Sequence, residues 1–96
     1  MIKIIARRVV RADRVADYEA LAQELVAKSQ AEPGNITYTL NRSLSDPRVH
    51  TMIEVWKDRA AIDAHNASEH FTRIVPQLGA LVEAADPVEL YEEVAW

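Results

Sequence analysis

Cysteine is absent from the 96 residues, which removes disulfides, thiolate nucleophiles and cysteine zinc sites together and is compatible with a reducing compartment. Only two glycines occur, Gly34 and Gly79, so there is no glycine-rich loop to cradle a phosphate. Long apolar runs are missing as well. No stretch approaches the ~20 residues a membrane span needs. Lys3 precedes only Ile4-Ile5-Ala6 before Arg7-Arg8 ends the run, far short of a signal peptide's apolar segment. The expectation is a cytoplasmic protein that does not engage a membrane. Positive charge is in deficit, and 15 Asp and Glu against 11 Lys and Arg argue against a nucleic-acid surface. One local exception, Arg7, Arg8, Arg11 and Arg14, reads either as a solvated strand end or as an anion site.

What is present is a chain with 49% apolar and 27% charged residues, the composition of a single globular domain over residues 1–96. A chain this short buries only about two-thirds of the surface its unfolded form exposes, so hydrophobic gain and conformational entropy nearly cancel. An extra source of burial is expected, and without cysteine it must be a partner chain.

Ile2 to Val10 is rich in β-branched residues and ends at Arg11-Ala12-Asp13, a first strand. Val15, Tyr18, Leu21, Ala22, Leu25, Val26 and Ser29 then recur at three- and four-residue spacing, an amphipathic helix with Asp13 as its expected cap. Glu32-Pro33-Gly34 ends it, since a residue before proline leaves helical geometry and glycine permits a reversal. Asn35 to Leu44 and Val49 to Trp56, joined by Ser45-Asp46-Pro47, make a β-hairpin. Asp58 caps a second helix running to about Ala67. A later stripe of Phe71, Ile74, Val75, Leu78, Leu81 and Val82 excludes His65 from its face, which implies a break near Ser68 and a second at Pro76. Asp86-Pro87 closes the helical region, and Val88 to Val94 alternates as the last strand.

The order β-α-β-β-α-β is the ferredoxin-like α+β arrangement, a four-stranded antiparallel sheet with both helices on one face. Strand one places Ile2, Ile4 and Val10 opposite Ile5 and Val9. Strand three places Met52 and Trp56 opposite Val49, Ile53 and Val55. Helices cover one face only, so a homodimer formed sheet to sheet is expected.

In this order the chain resembles the antibiotic biosynthesis monooxygenase domain family, in its quinol-monooxygenase-like branch. The resemblance rests on Glu32-Pro33-Gly34-Asn35 with Tyr38 and Leu40, on Asp46-Pro47, on Glu54-x-Trp56-x-Asp58, and on Ala61 followed by His65-x-x-Ser68-x-His70-Phe71. It implies a dimeric α+β barrel with a pocket in each subunit between sheet and helices. It also implies oxidation of a quinol or phenolic compound by dioxygen without metal or flavin. The family's haem-degrading branch fits least: its first-strand asparagine falls among Ala6, Arg7 and Arg8, its helix tryptophan at His65, and its ligand histidine near Val75. His50 departs from the family, whose members more often carry an aromatic residue after the Asp-Pro turn.

Oxygenation without a cofactor needs a dry cavity, a base and fixed donors for the developing anion. Histidine suits the base role because its reference pKa of about 6.5 lies near working pH. His65 is the expected base, one turn beyond Ile62 and just before the break. The bland alternative is a brace for that break through Ser68 or a backbone carbonyl. His70 is a second candidate, and His50 reads as surface or dimer interface. The three do not suggest a metal site, because His65 and His70 are five apart whereas ligands on one helical face are spaced by three or four. Tyr38 and Trp56 form either an aromatic slot for a planar substrate or plain core. Glu54 shares a strand face with Met52 and Trp56, so it is either a proton acceptor with a raised pKa or the buried partner of an arginine or backbone amide. Phe71 and Asn66 complete the candidate contacts.

The resulting expectation is a cofactor-independent monooxygenase acting on a quinol or phenol. Two rivals remain: an isomerase acting on a small hydroxyketone or phosphosugar, and a non-catalytic small-molecule-binding module of the same fold. Arg8 bears on the choice, because its projection into the cavity favours an anionic ligand.

Overall fold

The computed structural model describes residues 1–96. Five strands, β1 (Ile2–Val10), β2 (Asn35–Arg42), β3 (Val49–Trp56), β4 (Val82–Ala85) and β5 (Glu89–Glu92), form one antiparallel sheet. Three helices, α1 (Val15–Gln30), α2 (Arg59–Asn66) and α3 (Glu69–Gly79), connect them. This is the expected ferredoxin-like α+β fold. β1 lies in the middle, with β3 and then β2 on one side and β4 and β5 end to end on the other.

Alternation decides the faces. Ile4, Val10, Met52, Glu54 and Trp56 point inward, where Tyr18, Ala22 and Leu25 of α1, Ile62 of α2 and Ile74 and Leu78 of α3 close over them. Ile5 pairs with Ile53 and Val9 with Val49 on the opposite face, and Ile53 is 39% exposed there.

Four local expectations change. Asp13 does not cap α1: residues Ala12–Arg14 form one 3-10 turn, and Arg14 stands at the cap without a side-chain bond. Pro76 does not break α3, because Ile74 and Leu78 on either side of it are anchored in the core. The helical region ends at Gly79, and β4 occupies Val82–Ala85. Val-Glu-Ala-Ala carries no alternation and no β-rich signal; it becomes a strand because β1 offers a free edge, with Val82 paired to Val10 across a bulge. The final strand is then limited to Glu89–Glu92, and the edge that one strand was expected to fill is shared by two.

Gly34 earns its place by size. It does not adopt a positive φ, so the reversal after Pro33 needs no left-handed backbone. A Cβ added there would collide with the Ala61 methyl at the start of α2. Gly34→Ala is therefore an overpacking change and should cost about 1–3 kcal/mol, visible as a lower thermal midpoint. An unchanged midpoint would show that α2 can slide at no cost.

Candidate functional site

The break expected near Ser68 is present, and it builds the site. Ser68 leaves helical geometry, accepts a hydrogen bond from the Phe71 N–H (3.3 Å) and donates its hydroxyl to the His65 carbonyl (2.6 Å). It thereby ends α2 and caps α3 with one side chain. His65, the last turn of α2, and His70, the first turn of α3, then converge on one carboxylate although they are five residues apart. Glu32 Oε2 lies 2.6 Å from His65 Nδ1 and 2.9 Å from His70 Nε2.

A carboxylate oxygen can only accept, so the pairing assigns the His65 proton to Nδ1 and leaves Nε2 with a free lone pair. Nε2 faces Glu54, whose Oε1 lies 4.0 Å away. The ring is held on its flanks by Trp56 (centroids 4.5 Å) and Phe71 (5.0 Å), with Tyr38 at 5.5 Å. Burial pushes the His65 pKa down, against an upward pull from Glu32. Burial likewise pushes the Glu54 carboxyl up to about 7, partly offset by the Trp56 indole N–H, which donates to Glu54 Oε1 at 2.9 Å. A carboxyl pushed up to about 7 thus sits beside an imidazole whose charged form burial disfavours. The Tyr38 hydroxyl is pushed well above its ordinary range by burial and remains a neutral donor.

These groups edge a cavity of about 600 Å³ between the inner sheet face and the helices. Tyr38, Glu54, His65, Asn66 and Phe71 line it, together with Arg8. Trp56 and His70 do not: Trp56 is fully buried beneath His65, and His70 lies on the Glu32 side of the ring. The partner expected for Glu54 was an arginine or a backbone amide, and the indole of Trp56 takes that place because it projects from the same strand face. Ser68 bonds only the His65 backbone carbonyl, while the ring is joined to His70 on the far side of the break through Glu32. His50, expected at the surface or a dimer interface, is buried against Tyr18, with Nε2 2.6 Å from Glu19 and Nδ1 3.2 Å from the Arg48 carbonyl.

Glu32 is the residue the sequence reading missed. It was visible only as the first letter of Glu-Pro-Gly, and its two partners lie 33 and 38 positions away. With Glu32 beside them, His65 and His70 do form a candidate ligand set, contrary to the expectation from their spacing. The ligand atoms of Glu32, His65 and His70 all lie within 4.8 Å of one another. The spacing rule for one helix does not apply to histidines on two. Two imidazoles and a carboxylate suit a divalent transition ion, although hydrogen bonds already engage all three.

A family model described as antibiotic biosynthesis monooxygenase matches residues 1–77. The chain belongs to the antibiotic biosynthesis monooxygenase family. Among relatives of this member, the Bacillus subtilis protein named "Putative monooxygenase YcnE" is 34% identical over 84 residues, 88% of each chain. A solved antibiotic biosynthesis monooxygenase is 38% identical, with a TM-score of 0.93 over 99% of this chain and all of that one. A conserved protein of Methanosarcina mazei Go1 superposes with a TM-score of 0.92 at 29% identity, covering 97% of this chain and 92% of the other. In this family member no helix is long and apolar enough to cross a membrane.

Proposed function

We propose that this protein is a cofactor-independent monooxygenase that oxidises a quinol or phenolic small molecule with dioxygen. The observation that carries the reading is the unpartnered Nε2 of His65, which is oriented from behind by Glu32 and opens toward Glu54 at the cavity wall. In this scheme Nε2 accepts the substrate's hydroxyl proton, and the electron-rich anion passes an electron to oxygen within the largely apolar cavity. One oxygen atom then enters the ring and the other leaves as water. All four electrons come from the substrate, so a hydroquinone becomes a hydroxyquinone. Glu54 serves as the second proton carrier, and the neutral Tyr38 hydroxyl is a donor for the developing oxyanion.

Oxygen uptake with 1,4-naphthohydroquinone tests this. After dialysis against EDTA, the protein should consume oxygen above background and yield the hydroxyquinone rather than hydrogen peroxide. If activity disappears with EDTA and returns with ferrous or zinc ion, the Glu32, His65 and His70 set is a metal centre and the cofactor-free reading is lost. A rival reading, proton transfer on a small phosphorylated hydroxyketone, draws support from Arg8 in the cavity wall. It requires no oxygen, so the same electrode separates the two.

The reading includes a single cytoplasmic domain over residues 1–96 that acts as a homodimer. The support for association is the outer sheet face, where Ile5, Val9, Val49, Ile53 and Val55 present apolar side chains with no helix over them. Ile53→Lys should convert a dimer to a monomer in light scattering at micromolar concentration, because the ammonium group would be buried without a partner. A wild-type monomer under those conditions would remove the second copy from the scheme.

A further inference from the structure

The end of the cavity away from His65 contains a cation without a counter-charge. Arg8 lines the wall, and its Nη1 donates to the Arg7 carbonyl (2.8 Å) and the Asp86 carbonyl (3.1 Å). No carboxylate pairs with it, since that of Asp86 pairs with Arg7 instead. Two carbonyls therefore fix the guanidinium in position while leaving Nε and Nη2 free to bind an oxyanion. Beside it is Tyr18, only 3% exposed, whose hydroxyl also faces the cavity without a hydrogen-bond partner. The hydroxyl is therefore free to donate to a ligand in the cavity. The two groups are close enough for the Arg8 charge to oppose the upward push of burial on the Tyr18 hydroxyl. The other cavity cation, Arg59, lies on α2 one turn before Asp63, which also lines the cavity.

Strand register gives the spacing. Ile4 is opposite Glu54 and Arg8 opposite His50, so four residues of β1, about 13 Å, separate the Glu54 end from the Arg8 end. The surface between them is apolar, formed by Ala6, Met52, Leu25 and Leu78. A short phosphorylated chain held at Arg8 stops well before Glu54. A flat, elongated molecule reaches both.

We propose that the cavity takes a fused-ring hydroxyaryl carboxylate, its carboxylate held by the Arg8 guanidinium and the Tyr18 hydroxyl and its reacting hydroxyl placed at the Glu54–His65 end. Charge sets the direction, because an acid group turned toward Glu54 would meet two carboxylates, Glu54 and Asp63, beside the single cation Arg59, whereas at Arg8 it meets a guanidinium with no carboxylate partner. The placement of the reacting hydroxyl rests on the function proposed above, whereas the anion subsite does not.

Calorimetric binding of 6-hydroxy-2-naphthoate and of its methyl ester tests the subsite without turnover, so a failure of the oxygen-uptake assay leaves it standing. The acid should bind wild-type protein at least about tenfold more tightly than the ester. Arg8→Gln should abolish that preference, and Arg8→Lys should restore part of it. Tyr18→Phe provides an independent check if Arg8→Gln does not fold, and should narrow the preference severalfold. Equal binding of acid and ester, no binding of the acid up to millimolar concentration, or a preference that survives Arg8→Gln would overturn the proposal. Tighter binding of 2-naphthyl phosphate than of the naphthoate would overturn the carboxylate assignment.

Discussion

Replacing His65 with glutamine should lower oxygen uptake per folded protein by at least about 100-fold, because general-base contributions typically span ~100- to 10,000-fold. Glutamine has no basic nitrogen yet offers an amide N–H to Glu32, so the substitution removes the base while leaving the carboxylate a donor. His65→Ala combines two losses. It removes the base and also empties the space between Trp56 and Phe71, where the ring centroids lie 4.5 and 5.0 Å from that of His65. The alanine variant should therefore melt several degrees below the glutamine variant, with equally low turnover. A purely structural histidine reverses this order, giving lower stability with near-normal turnover in the surviving folded fraction, and that result would remove His65 from the chemistry.

Glu54→Gln should stabilise the fold at alkaline pH while it slows the reaction. A carboxyl whose folded pKa is raised from 4.5 to about 7 holds its proton more tightly in the native state than in the unfolded chain. Its favourable contribution is fully present below pH 4.5 and is lost as pH rises through about 7. At about 1.4 kcal/mol per pH unit, the gap between 4.5 and about 7 corresponds to roughly 3 kcal/mol. Glutamine retains an acceptor for the Trp56 indole and never ionises. Denaturation midpoints of the two proteins should coincide near pH 4, separate progressively between pH 4.5 and about 7 and stay apart above that, with the variant the more stable. Parallel pH curves would show that Glu54 ionises in the native state as easily as in water. Greater stability combined with slower turnover is the signature of a carboxylate kept at a cost to the fold.

Most of the fold was legible because its signals are local. The 3.6-residue stripe of α1, the alternation of β1 and β3, Asp58 at the start of α2 and Ser68 between two helices each depend on neighbours within a few positions. β4 was not legible, because its four residues become a strand only through the edge of β1, more than 70 positions earlier in the chain. The site divides along the same line. Glu54, His65, Phe71 and Tyr38 were recoverable as residue types on particular faces. The bond from Glu32 to two histidines was not, because it forms across the closed fold. His50 misled for the same reason: its burial is set by Glu19 on α1, which no pattern within the hairpin reveals.

The contact between Gly34 and Ala61 couples two parts of the chain that neither touches the cavity nor carries a charge. Glu32 precedes the glycine by two residues, and His65 follows the alanine by one helical turn. The thickness of this joint sets how far the carboxylate stands from the ring it orients. Positions 34 and 61 therefore share one allowance of bulk. A methyl added at 34 fits without displacement only if the methyl at 61 is removed. The spacing between Glu32 and His65 is thus kept by the absence of an atom, at a position outside either side chain.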